Sequence, residues 1–249
     1  MTSPKTTIHL FSRNYPFGRG ESFIEEEVRR LQRYGHVIVV PAFRDRSSPR
    51  LLPGGAELET SLAERRMSAG MKSPSAIASM LSKLPGEILD RGAASLRPRS
   101  QFSIWAYLVR VARFTDWILK STEGRRVRNA MSFWSNAEAV GLAVAGIHRS
   151  DLRFVSRSHR FDVWEEHNPY GYLPFRSLLA SRATYLLPSS SRAAEHLRGT
   201  VDGAARVVVA PLGVDRPLEP SDGRCDPTDR GPVVLTCSSA ADVKRLGLV

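Results

Sequence analysis

The chain has 249 residues, 42% apolar and 24% charged, with a formal net charge of +11 carried far more by arginine than by lysine. That is enough ordinary sequence for one large domain, or one domain and part of a second, with a proper core. The basic balance suits anionic partners, whether nucleic acid, acidic lipid headgroups or phosphorylated small molecules, and does not choose among them. Two cysteines, Cys225 and Cys237, exclude a disulfide framework and offer no metal-ligand spacing.

The N-terminus, MTSPKTTIHLFSRN, carries one short apolar segment, so no signal peptide is expected. No apolar run approaches the roughly 20 residues of a membrane span. These features lead to an expectation of a cytoplasmic protein, in reach of the inner membrane face.

Thr6 to Ser12 reads as a first strand, and RNYPFGRG after it as a tight loop set by Pro16, Gly18 and Gly20. Ser22 and Glu25 match a capping box, and Ile24, Val28 and Leu31 form one apolar helical face ending near Tyr34 and Gly35. HVIVVPA, residues 36–42, is nearly all apolar, as a covered parallel strand should be. Strand, loop, helix, strand make a βαβ unit.

Residues 43–58 read as a surface loop. From about 58 to 125 helical spacings dominate, such as Ile77, Leu81, Leu84 and Ile88, so a helical insertion hung on the α/β frame is expected. Within it, residues 91–128 hold nine basic residues against Asp116 and Glu123, interleaved with Phe102, Trp105, Tyr107, Phe114 and Trp117. Such a stretch either lies on an anionic membrane surface or packs its aromatics on the core with its arginines solvated. Nucleic-acid-binding signatures are missing from it.

NAMSFWS, residues 129–135, is the next strand and Ala137 to Ile147 a helix. RFVSRSHRFD follows, a short buried strand running out to His159, with Asp162 three residues on. In an open parallel sheet the ligand crevice lies beyond the carboxyl ends of the strands. His159 therefore stands either at a reaction centre or as a structural cap on its strand. Asp162, Glu165, Glu166 and His167 either line that crevice or solvate the loop. Leu173 to Ser181 reads as a helix and ATYLL, 183–187, as a strand. PSSSRAAEHLRG then places hydroxyls, Ser189 among them, at a helix N-terminus that favours an anion. RVVVA, 206–210, is a further strand. Five or six strands alternating with helices predict a doubly wound parallel α/β sheet. Residues 216–231 are linker-like, and VVLTCSS beyond them reads as the first strand of a second domain occupying 232–249.

FSRNYPFGRGESFIEEEVRRLQRYGHVIVVP, MSFWSNAEAVGLA, FVSRSHRFDVWEEHNPYGYLPFRSLLASRATYLLPSSSRAAEHL, VVVAPLGVD and PVVLTCSSAADVKRL, in that order, resemble the N-terminal half of a retaining GT-B-fold glycosyltransferase and the opening of its C-terminal domain. The resemblance spares only the stretch from about 45 to 125. It implies a Rossmann-like acceptor domain over residues 1–215 and a truncated donor domain, with transfer from a nucleotide-sugar to a glycan or lipid-linked acceptor and no metal or other cofactor. By it, His159 lies against the donor sugar at the reaction centre. Gly18, Arg19 and Gly20 form the loop that approaches phosphate or acceptor, and Lys244 neutralises the donor diphosphate; Glu21, Asp162 and Ser189 are the further candidate substrate-binding residues read from their places in the chain. Ser238 stands where many members carry arginine. Phe23 occupies the third glycine position of a dinucleotide fingerprint, which disfavours an NAD-dependent dehydrogenase. This half by itself is expected to transfer sugar weakly or not at all, as either a truncated product or one half of a split enzyme with a separately encoded C-terminal half. The rival expectation is a non-catalytic basic module docking on a membrane or a partner protein.

Overall fold

The computed structural model describes residues 6–18, 20–71, 77–78, 81–168, 170–201 and 203–213. All belong to one compact unit, Met1–Val214. Arg19, Ser238 and Lys244, the linker and the expected strand of a second domain lie outside the described residues.

The strands are β1 (Thr6–Ser12), β2 (Gly35–Pro41), β3 (Glu57–Leu58), β4 (Asn129–Ser132), β5 (Arg153–Ser158), β6 (Tyr185–Pro188) and β7 (Arg206–Val207). They form one sheet of order β3-β2-β1-β4-β5-β6-β7, and every pairing is parallel. This is a Rossmann-like arrangement. The order reverses between β1 and β4, where Phe11 pairs with Ser132, so the crevice between their carboxyl ends is the place for a ligand.

Alternation along each strand sends neighbouring side chains to opposite layers. Leu10, Val39 and Met131 join Ile24 and Val28 of α1 (Ile24–Leu31) on one face. Phe11, Val40 and Ala130 join the other layer, with Phe114, Trp117 and Val140. Both faces are covered, which explains the continuous apolar runs of these strands.

The capping box does not form. Phe23 is the N-cap of α1 without a side-chain cap, and Glu25 turns instead to Arg29 at 2.5 Å. Gly35 does not close that helix either: it opens β2, where a Cβ would stand 2.0 Å from the carbonyl oxygen of Thr6. Residues 57–58, expected in a loop, pair with Ile38 and Val39 as an edge strand.

Short helices α2 (Ser61–Glu64) and α3 (Ser68–Met71) precede α4 (Leu84–Arg91), and α5 (Pro98–Lys120) then runs 23 residues before α6 (Thr122–Arg126). The second half of α5 is no peripheral insertion. Phe114 and Trp117 meet Phe11 of the central strand edge-on, with ring centroids 4.9 and 6.1 Å away. Nor are all its arginines solvated. Arg110 reaches Glu138 at 2.9 Å, and Arg113, 3% exposed, donates to the carbonyls of Ala42 and Leu62 with its guanidinium over the Phe43 ring. The chain continues through α7 (Ala137–His148), α8 (Arg160–Val163), α9 (Arg176–Arg182) and α10 (Ser191–Thr200). Among the described residues, no helix is long and apolar enough to cross a membrane.

Candidate functional site at the carboxyl edge of the sheet

The loop after β1 is folded around a carboxylate of its own. Glu21, 8% exposed, accepts the amides of Arg13 (3.2 Å), Asn14 (2.6 Å) and Tyr15 (2.7 Å). Three successive N–H groups make an anion nest, and Glu21 fills it. The indole N–H of Trp134, just past β4, donates to the same carboxylate. Glu21 therefore shapes the loop. Gly18 has φ +71 and gives its amide to Ser47 Oγ at 2.7 Å; the left-handed backbone favours glycine there. Gly20 is exposed, and a Cβ on it would meet nothing within 4 Å.

His159 follows β5 directly. Its ring stacks on Phe133 (5.0 Å between centroids, 21° between planes) and lies 4.7 Å from the Trp134 ring. Trp134 thus joins the histidine to the Glu21 loop. Burial, and then the Arg157 guanidinium, push the imidazole pKa down to about 4, against a hydrogen bond donated by the ring to the Phe133 carbonyl, which raises it. The ring is neutral at pH 7, and its Nε2 has no hydrogen-bond partner among the described residues.

Asp162, in α8, accepts the amide of Ser135 at 3.1 Å. Burial raises its pKa to about 7; its backbone hydrogen bonds from Ser135 and His159 oppose the shift without cancelling it. The carboxyl can therefore give or take a proton near neutrality. Ser135 is itself fixed through its hydroxyl to Ser156 (2.8 Å) and Ser158 (2.7 Å), so the ends of β4 and β5 are locked together where Asp162 attaches.

A cleft of about 400 Å³ opens here, its lining including Arg13, Tyr107, Arg110, Trp134, Phe161 and Asp162, with Asn136 at its α7 edge. Asn136 caps α7, its side chain accepting from the Glu138 amide at 3.1 Å. Aromatic faces combined with amide, carboxyl and guanidinium groups suit a polar, ring-bearing ligand. Tyr107, Trp134, Ser135 and Asn136 were not read from the sequence as site residues. The sequence predicts strand over residues 133–135, whereas β4 ends at Ser132 and Phe-Trp-Ser is the loop beyond it. The usable signal was their place straight after a buried strand.

The other expected residues lie apart from this cleft. Ser189 directly follows β6, but Ser190 caps α10, accepting from the Ala193 amide at 3.3 Å. Glu165 pairs with Arg91, His167 Nδ1 lies 3.4 Å from Arg160, and Glu166 is exposed. Among the described residues, no cluster of His, Cys, Asp and Glu could hold a metal ion. No family model matches this chain, and no curated protein matches it.

Proposed function

We propose that this chain forms the acceptor-side domain of a retaining, nucleotide-sugar-dependent glycosyltransferase of the GT-B kind. The observation that carries the reading is the neutral imidazole of His159 at the carboxyl end of β5, packed on Trp134, which bonds the loop after β1 and lines a cleft of aromatic and hydrogen-bonding groups.

Transfer from a glycosyl diphosphate develops positive charge at the anomeric carbon and negative charge on the leaving diphosphate. A neutral imidazole can hydrogen-bond a sugar hydroxyl there without opposing the positive charge, as an imidazolium would. Asp162 is placed to orient an acceptor hydroxyl, and the aromatic walls to hold its ring face. In this reading the donor diphosphate is held chiefly by a second domain, and the acceptor is a glycan or a lipid-linked saccharide. A purely surface-docking role would account for the exposed rings of Phe102 and Trp105 but leaves the cleft at His159 without a use.

The test is transfer of labelled sugar from a panel of nucleotide-sugars to membrane-extracted acceptors, with the chain alone and with any separately encoded donor domain. Label transfer that His159→Phe abolishes supports the proposal. Neither transfer nor nucleotide-sugar binding under either condition overturns it.

A further inference from the structure

Tyr170 lines the cleft beside His159 and also a second pocket of about 570 Å³. That pocket is framed by Arg97, Arg99 and Ser100 at the start of α5 and by Glu165 and Tyr172. Glu165 is neutralised by Arg91, whereas Arg97 and Arg99 are exposed with no ion-pair partner among the described residues. The pocket therefore carries surplus positive charge.

The ring of Tyr170 also lies against Phe102, with centroids 5.4 Å apart. Phe102 and Trp105, three residues apart on α5, are 59% and 55% exposed, and Leu96 before the helix is 60% exposed. Three large apolar side chains beside free arginines are what a surface needs to engage hydrocarbon and anionic headgroups together. A hydrogen-bonding cleft and a cationic pocket thus share Tyr170, and Phe102 of the exposed apolar side chains packs on it.

We propose that the acceptor taken by this edge of the domain is a sugar carried on a lipid phosphate. The sugar would enter the cleft beside Asp162, the phosphate would face Arg97 and Arg99, and the hydrocarbon would lie on Leu96, Phe102 and Trp105. A soluble sugar phosphate would use the first two and leave the shelf bare. The assignment rests on the glycosyltransferase reading for the use of the sugar, and on the pocket and shelf alone for the lipid.

The test is co-sedimentation of the chain with phosphatidylcholine vesicles carrying a polyprenyl phosphate, against vesicles carrying phosphatidylglycerol at equal charge and against phosphatidylcholine alone. Inorganic phosphate serves as soluble competitor. The expected result is strongest binding to the polyprenyl phosphate. Replacing both arginines, Arg97→Ala with Arg99→Ala, should weaken it roughly thirtyfold, as for two cations lost from an anionic surface. Phe102→Ser with Trp105→Ser should weaken it roughly tenfold or more through lost apolar contact. Both variants change exposed side chains, and circular dichroism checks that they fold.

Equal binding to phosphatidylglycerol would mean general surface docking and overturns the assignment. So does wild-type binding by either variant, or full displacement by inorganic phosphate with the serine variant silent. These readouts measure binding, so their failure leaves the glycosyltransferase reading standing. Vesicle binding as expected, with neither sugar transfer nor nucleotide-sugar binding in the presence or absence of a donor domain, sinks that reading and spares the lipid contact.

Discussion

Trp134 and Glu21, 113 residues apart in sequence, are joined by a hydrogen bond from the indole to the carboxylate. The bond ties the loop after β4 to the loop after β1 across the point where the strand order reverses. It is one of four that Glu21 accepts, the others coming from consecutive amides of residues 13–15. A protein carboxylate thus stands where a ligand phosphate is often cradled in folds of this class.

Replacing that carboxylate should loosen the whole corner. Glu21→Gln keeps the size but turns an N–H₂ group toward buried donors, so about 2–3 kcal/mol of unfolding free energy should be lost. Urea denaturation followed by tryptophan fluorescence measures it, and a loss near zero would mean that the nest is satisfied by water instead.

The buried pair of Arg157 with Glu27 fastens β5 to α1, at 2.8 and 3.0 Å, and the same guanidinium donates to the carbonyl of Ala210 at 2.6 Å. The two side chains are 7% and 12% exposed. Arg157→Met strands the Glu27 carboxylate, and a loss of about 3–5 kcal/mol is expected. Adding Glu27→Leu should recover much of it, because the isolated buried charge is what destabilises most. Comparison of the single and double variants in equilibrium unfolding checks the sign of that coupling.

Much of this fold was legible because burial on two faces leaves a direct mark on composition: HVIVVPA can hardly be anything but a covered strand. The two-residue edge strand at Glu57 and Leu58 has no such mark, since both residues are exposed and only backbone pairing defines it. The site was half legible. His159 and Asp162 could be placed from strand-end position, because topology puts strand ends together. The tether of Glu21 by Trp134 could not, since it depends on which side chains meet once β1 and β4 are paired. The arginines of α5 misled for a similar reason: charge in a sequence signals solvent unless a buried carboxylate such as Glu138 is brought to it by the fold.

Two glycines of α7 separate packing from propensity. A Cβ on Gly141 would stand 2.6 Å from Phe114 Cδ1, whereas one on Gly146 would meet nothing within 4 Å. Gly141→Ala should therefore destabilise by about 1–3 kcal/mol through overpacking against α5. Gly146→Ala should stabilise by about 0.5–1 kcal/mol through helix propensity alone. Thermal melts of the two variants should shift in opposite directions.

His159 and Asp162 should pull stability in opposite directions as pH changes. The histidine pKa falls from 6.5 to about 4 on folding, so below pH 6.5 the unfolded chain takes up a proton that the folded chain refuses. Its contribution is complete above pH 6.5 and is lost as pH falls toward 4. The aspartate pKa rises from 3.8 to about 7, so the folded chain holds a proton that the unfolded chain has released. That contribution is complete below pH 3.8 and is lost as pH rises through 7. Between about pH 4 and 6.5 the two slopes oppose each other in the wild type. Removing one member exposes the other: Asp162→Asn should make stability rise with pH across this window, and His159→Phe should make it fall. Urea unfolding at several pH values reads both slopes, each against the wild type. Parallel slopes in the two variants would show that the imidazole and the carboxyl are not buried in the opposed protonation states that the site requires.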